Sequence, residues 1–161
     1  MTDIVLTYDP ENFLIDLAIV DNDLLADDGL YTCIIISLYT DRQAISGDVI
    51  PDAAIGQASD ARGWWADWFN DSPLGSRLWL LWREKQMNSV LKLAEGYARQ
   101  ALNWLLEDGL VLSIAVEAFN PAPALMDIQV RVSRQIGQNI KTEQWNVFFD
   151  YNNPQPVFIR N

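Results

Sequence analysis

The sequence predicts an α+β fold: a single domain in which a small antiparallel sheet packs against one long helix and two shorter ones. Three observations lead there. Residues 88–107 repeat apolar side chains at helical spacing, and two alternating runs after residue 109 read as a hairpin. The chain has 161 residues, half of them apolar and a fifth charged. That is a globular composition, long enough to bury roughly 70% of its unfolded surface around one core.

The elements follow in order. DIVLTY (3–8) and FLIDLAIV (13–20) alternate as a strand pair, with Phe13, Ile15, Leu17 and Ile19 on one face and Asp9 to Asn12 as the turn. DNDLLADDG is turn-rich. In LYTCIIISLYTDR the isoleucine run favours a strand, while Leu30, Ile34 and Leu38, with Asp27 or Asp28 as N-cap, favour a helix over about 29–40. The residues alone leave both open.

Residues 41–62 read as a loop broken by Gly47, Pro51 and Gly56. Asp71-Ser72-Pro73 reads as the cap and first turn of a short helix over about 74–84. The long helix carries Val90, Ala94, Tyr97, Ala101 and Trp104 or Leu105 on one stripe, widened by Leu91, Ala98 and Leu102, with Gly109 as its stop. LVLSIAVEAF and LMDIQVRVSR are joined by NPAPA, a loop of about five residues. In the second of these strands Met126, Ile128, Val130 and Val132 face one way, and Asp127, Gln129, Arg131 and Ser133 face water. Trp145 to Phe149 makes a further strand, and residues 152–161 an extended tail.

Composition excludes several functions. Eleven Lys and Arg against 22 Asp and Glu give a formal charge of −11, a field that repels nucleic acid and anionic membrane surfaces. The single cysteine, Cys33, sits in an apolar run and reads as a small core hydrophobe; it rules out an internal disulfide and suits a reducing cytoplasm. With no histidine and no phosphate-binding glycine loop, neither metal nor cofactor is expected, and catalysis would fall to carboxylates, Lys or Tyr. The N-terminus has acid where a signal peptide has base, and no apolar run reaches the roughly 18 residues of a spanning helix.

The most informative stretch is RGWWADWFNDSPLGSRLWLLWREKQ, which places Trp64, Trp65, Trp68, Trp79 and Trp82 among Arg62, Arg77 and Arg83. Each indole carries about 200 Å² of surface, so some belong to the core. Adjacent Trp64 and Trp65 point about 100° apart in a helix or to opposite sides in a strand, so one faces outward. Outward tryptophan beside arginine is the composition of an interface hot spot. These eight residues are the candidate interface, with an aromatic ligand cleft as a further reading. A hydrolase would need paired carboxylates, for which Glu84 with Asp67 or Asp71 are the candidates; a solvated charge on an amphipathic element is the plainer account of Glu84.

RGWWADWF…SPLGSRLWLLWREKQ, followed by YARQALNWLLEDG and preceded by DGLYTCIIISLYTDRQA, resembles the Mu-type phage tail family, the gene-product-forty-six proteins of Mu and Mu-like prophages. The likeness runs from about Asp16 to Arg134. It implies a baseplate wedge subunit, distantly similar to the gene-product-twenty-five and protein W family of contractile tails. The expected partners are other baseplate proteins, above all the larger wedge protein and the spike or hub, in a six-fold assembly of the virion tail, after synthesis in the host cytoplasm. The wider group also favours a helix for LYTCIIISLYTDR. Its Glu-Pro-Arg signature after the main helix is replaced here by Glu107-Asp108-Gly109, so the role of that Arg is not carried over. Members labelled lysozyme-like make a peptidoglycan hydrolase the alternative. The reading implies that Trp65→Ala and Arg77→Ala leave the subunit folded but block assembly.

Overall fold

The computed structural model describes residues 3–9, 14–27, 29–51, 60–69, 72–151 and 157–159. It is α+β, as the sequence predicts. Strands β1 (Asp3–Ile4), β2 (Leu6–Asp9), β3 (Leu14–Leu17), β4 (Ile19–Val20), β5 (Asp23–Leu24) and β6 (Ala26–Asp27) come first, then helix α1 (Leu30–Tyr39). Two 3-10 turns, Trp65–Phe69 and Leu78–Leu81, precede helices α2 (Asn88–Leu102) and α3 (Trp104–Glu107). Strands β7 (Ser113–Ala122), β8 (Leu125–Ile136), β9 (Asn139–Asp150) and β10 (Val157–Ile159) end the chain.

The N-terminal strand pair is a meander whose strands exchange partners midway: β2 pairs with β3, β4 with β5 and β1 with β6, all antiparallel. The exchange occurs at Val5, Ala18 and Leu25. Val5 N–H donates to the Leu25 carbonyl, Leu25 N–H to Ala18 and Ala18 N–H to Val5, each at 2.8 Å. This closed ring satisfies the backbone groups that a switch of partner strand would otherwise orphan. DNDLLADDG is therefore largely strand: Asp21 and Asn22, at φ 51° and 66°, make a tight two-residue turn, and pairing extends on both sides. Ile19, Val20 and Leu24 are exposed on it. The expected turn at residues 10–12 and the Phe13 position lie outside the described residues.

Helix wins at α1. Leu30, Ile34, Ile35 and Leu38 are buried, and Thr32 Oγ1 donates to the Ile4 carbonyl, tying the helix to the meander. Tertiary burial overrides the strand preference of the isoleucines. The cap is Gly29 at φ 80°, with no side-chain cap bond, while Asp27 lies in β6 and Asp28 falls outside the described residues.

The large sheet has the order β10-β9-β8-β7 and is antiparallel throughout. Its apolar face, Val116, Ile128, Val130, Val132, Trp145 and Val147, meets Val90, Ala94, Ala98, Ala101 and Leu102 of α2. The helical segment covers the predicted span with a break at Asn103, and it ends in backbone bonds from Gly109 to Leu106 and from Val111 to Leu105, with Gly109 at φ 67°.

Three details depart from the sequence reading. The NPAPA loop shrinks to a turn at Pro123-Ala124, because β7 continues through a register shift between Phe119 and Ala122. The strands on either side of Gly137-Gln138 are longer than predicted, pairing Ile136 with Asn139, and residues 157–159 of the tail form β10 against β9. The face of β8 expected to be wet is only partly so. Asp127 is 3% exposed, because its register neighbours Phe119 and Phe148 flank it and Asn146 Nδ2 donates to its Oδ2 at 2.8 Å.

Burial pushes the Asp127 carboxyl above its ordinary 3.8, against the lowering effect of hydrogen bonds from Asn146 and Gln129, and its Oδ1 has no partner. For a group raised in the folded state, the stability it contributes is present at low pH and is lost as pH rises through the folded value. Asp127→Asn should therefore raise the melting temperature at pH 7 by a few degrees, about 1 kcal/mol moving Tm by about 2–4 °C in a chain of this size. The gain should close as pH falls toward 4, and equal melting of both proteins across pH 4–8 would contradict it.

Candidate functional site

The aromatic segment is organised by the stretch that leaves α1. Residues 40–48 form no ladder with the sheets, so their backbone groups need partners from elsewhere. They find them in residues 61–79. Ser76 N–H donates to the Thr40 carbonyl at 2.9 Å, and Arg42 N–H to the Ser76 carbonyl at 3.0 Å. Ser76 Oγ donates to Leu38 at 2.7 Å, Trp79 Nε1 to the Arg42 carbonyl at 2.9 Å, and Ala44 N–H to Ala61 at 2.9 Å. Two glycines make the approach possible. A Cβ on Gly75, at φ 97°, would lie 2.3 Å from the Thr40 oxygen, and one on Gly63, at φ 112°, 3.0 Å from Gln43 Cβ. This competition explains why the helix expected over 74–84 is reduced to the turn Leu78–Leu81: residues 75 and 76 are committed to residues 40–42, and Arg83 sits at φ 64°. Asp71, the expected cap, lies outside the described residues.

The arginines staple this clamp from within. Arg62 pairs with Asp41 at 2.6 Å and lies 4.5 Å from the Trp79 ring centroid, sealing a side chain that is only 4% exposed. Burial raises the Asp41 carboxyl above its usual range, against the pull of Arg62, and nearby Asp60 adds to the rise. Arg77 grips both Asp48 oxygens at 2.9 and 3.0 Å, reaches Gln100 at 3.0 Å, and stacks 4.7 Å from Tyr97. Desolvation, with Asp48 adding to it, raises the Tyr97 hydroxyl over the opposing effect of Arg77. Arg83 lies 4.2 Å over the half-buried Trp82 ring.

The structure thus sorts the eight candidate residues into two groups. Trp79 is buried, Arg77 is nearly so, and the partly exposed Arg62 lies over the Trp79 ring, while Trp82 with Arg83 forms a stacked pair at the end of the sheet, where Arg83 N–H donates to the Tyr151 carbonyl. Trp64 and Trp65, their ring centroids 5.9 Å apart, and Trp68 stand outside. Trp65 is 75% exposed, Trp68 92%, and Phe69 82%. They ride on a 3-10 turn whose single buried residue is Ala66, and whose Asp67 Oδ1 accepts the Leu74 N–H at 2.9 Å. Phe69 is the member sequence reasoning left out, although its position directly after Trp68 in the same run was a signal. An exposed indole pair extended by a phenyl ring is an apolar ledge on rigid footing, suited to contact with another protein surface.

Carboxylate chemistry finds little support in this geometry. Glu84 is exposed and lines neither of the two clefts near the ledge, and Asp67 is turned into its own loop. Among the described residues no three of Cys, Asp and Glu gather as a metal cluster, and no helix is long and apolar enough to cross a membrane.

Comparison with known proteins gives a consistent picture. The family model described as Phage protein GP46 matches residues 30–139. The chain is 46% identical over 118 residues to the protein named Baseplate protein gp46 of Escherichia phage Mu, spanning 73% of this chain and 77% of that one. It is 39% identical over 133 residues to the Mu-like prophage FluMu protein gp46 of Haemophilus influenzae, spanning 82% and 87%.

Two substitutions test the clamp. Arg77→Ala strands Asp48, whose side chain is 10% exposed, and should cost about 3–5 kcal/mol in urea unfolding, an outcome that would contradict the expectation that this variant stays folded and only blocks assembly. The Arg77→Ala/Asp48→Ala pair should lose clearly less than the sum of the single changes, and strict additivity would remove the ion pair from the account. Gly75→Ala combines a positive φ with a backbone clash at 2.3 Å and should leave little soluble folded protein; a near-wild-type melt would show that the contact yields easily.

Proposed function

The chain belongs to the phage protein GP46 family, and from that premise we propose that it is a structural subunit of a contractile phage or prophage tail baseplate, acting by docking and without catalysis. In this reading it is a wedge component of a six-fold assembly at the tail end of the virion. Its neighbours are other baseplate proteins, the larger wedge protein first and the spike or hub next.

The observation that carries the proposal is the ledge. Trp64, Trp65, Trp68 and Phe69 expose aromatic surface that a free acidic subunit would not keep without use, on a turn whose Asp67 N–H donates to the Trp64 carbonyl and whose Asp67 Oδ1 accepts from Leu74. Docking would remove these rings from water at about 25 cal/mol per Å² of apolar surface, with little further loss of conformational freedom. The charge of −11 keeps the unassembled subunit soluble despite the ledge.

The test is Trp65→Ser with Trp68→Ser. The doubly substituted subunit should melt within a degree or two of wild type, because both rings are largely in water. In a phage or prophage lacking the wild-type gene it should give few or no complete tails by electron microscopy. Normal tails from this variant would remove the ledge as the docking element, and clearing of cell-wall material by the purified wild type, lost in Glu84→Gln, would favour the hydrolase instead.

A further inference from the structure

Beside the ledge, a second feature points to the chemistry of what docks there. Every other described arginine has a partner: Arg62 has Asp41, Arg77 has Asp48, Arg83 has the Trp82 ring, Arg99 the Val116 carbonyl, Arg131 Glu117, and Arg134 Glu143. Arg42 differs. Its backbone is pinned at both polar atoms, yet its half-buried side chain has no acceptor among the described residues. In a chain with twice as many acids as bases, a guanidinium with no carboxylate partner among the described residues is a candidate binding group.

Arg42 also stands at a junction. With Pro73 it lines two clefts, one of about 400 Å³ also lined by Trp104, Gln100 and Arg99, the other of about 260 Å³ also lined by Trp68, Ala44 and Ile45. Of the acids lining the two clefts, Glu107 Oε1 accepts from Asn103 Nδ2 at 2.6 Å and Asp67 Oδ1 accepts from the Leu74 backbone, while Asp67 Oδ2 is buried without a partner among the described residues. The trough therefore offers the Arg42 guanidinium between its two clefts, with Arg99 on the lining of the larger one, Trp104 in that cleft and Trp68 in the other. Polyanions are disfavoured by the overall charge, whereas a single carboxylate can form a two-pronged contact with the guanidinium at short range.

We propose that this trough takes an extended segment of a neighbouring protein, with a side-chain carboxylate bound by Arg42 and apolar residues on either side lodged against Trp68 and Trp104. The proposal rests on the docking reading only in placing that neighbour in the same assembly. In an extended chain, side chains two residues from the acid point the same way as it does, so the recognised pattern is apolar-x-acid-x-apolar. Arg42 positions and selects the segment, and the ledge supplies area.

The experiment is an NMR titration of the full chain, labelled with nitrogen-15. Probes are acetyl-Leu-Ser-Asp-Ser-Leu-amide, its Asn counterpart, and inorganic phosphate. The Asp peptide should shift the Arg42 Nε–H and the Trp68 and Trp104 indole N–H signals saturably, binding at least tenfold more tightly than the Asn peptide. Arg42→Gln should abolish that contrast while the Trp79 indole signal, which reports the Arg42 backbone acceptor, stays in place. Equal binding of the two peptides, absence of a saturable shift, or the same response to phosphate at equal concentration would each overturn the proposal. Because tail assembly with the Trp65→Ser/Trp68→Ser subunit is scored separately, failure here would leave the ledge standing.

Discussion

The architecture between α1 and α2 depends on one constraint: a stretch of irregular backbone must have its polar groups satisfied without a sheet. The carbonyls of Leu38, Thr40 and Arg42 and the N–H of Arg42 are paired by Ser76 and Trp79. Leaving any of these buried groups unpaired would cost about 1–3 kcal/mol, so the bonds act together to fix the path of residues 38–44 and of 75–79 relative to each other. Gly75 is required because any side chain there would occupy the position of the Thr40 carbonyl. The string SLYTDR…RGWW…LGSRLW is thus first of all a description of a clamp, and the exposed rings are what the clamp holds out.

The arginines illustrate how an acidic protein uses its few cations. An exposed ion pair contributes at most about 1 kcal/mol, but Arg77 is placed where Asp48, Gln100 and Tyr97 meet, with its side chain 12% exposed, and there the loss of one partner is far more costly than the pair is worth. Arg62 similarly closes over Trp79. Cations are thus turned inward to hold the loop, and the outward surface of the segment is left aromatic. That division would be hard to reach by composition alone, since tryptophan beside arginine describes both an interface and an internal staple.

Much of the fold was legible in the sequence because its signals are local and periodic. The α2 stripe of Val90, Ala94, Ala98 and Ala101, the β7–β8 alternation and the stop at Gly109 follow from spacing, and adjacent Trp64 and Trp65 required at least one outward ring. What was not legible depends on contacts between distant residues. The ring of bonds at Val5, Ala18 and Leu25 joins three strands through positions that look ordinary in each. Asp127 alternates correctly as a polar residue, yet Phe119 and Phe148 arrive beside it from β7 and β9. For the site, residue types pointed to the right segment, while the sorting of indoles into core and ledge waited on where Arg62 and Arg77 reach.

The clamp also sets how the ledge and the trough can work. Trp68 and Arg42 line the same cleft, and the backbone of Arg42 is pinned to Ser76 and Trp79. Binding surfaces on loops commonly lose affinity to the ordering of side chains and backbone. Here the Asp67 bond to Leu74 and the Ala44 bond to Ala61 tie the described parts of the segment to their neighbours. A partner segment would meet an edge built on these bonds, and a weakening of the clamp at Gly75 or Arg77 would act on docking through them.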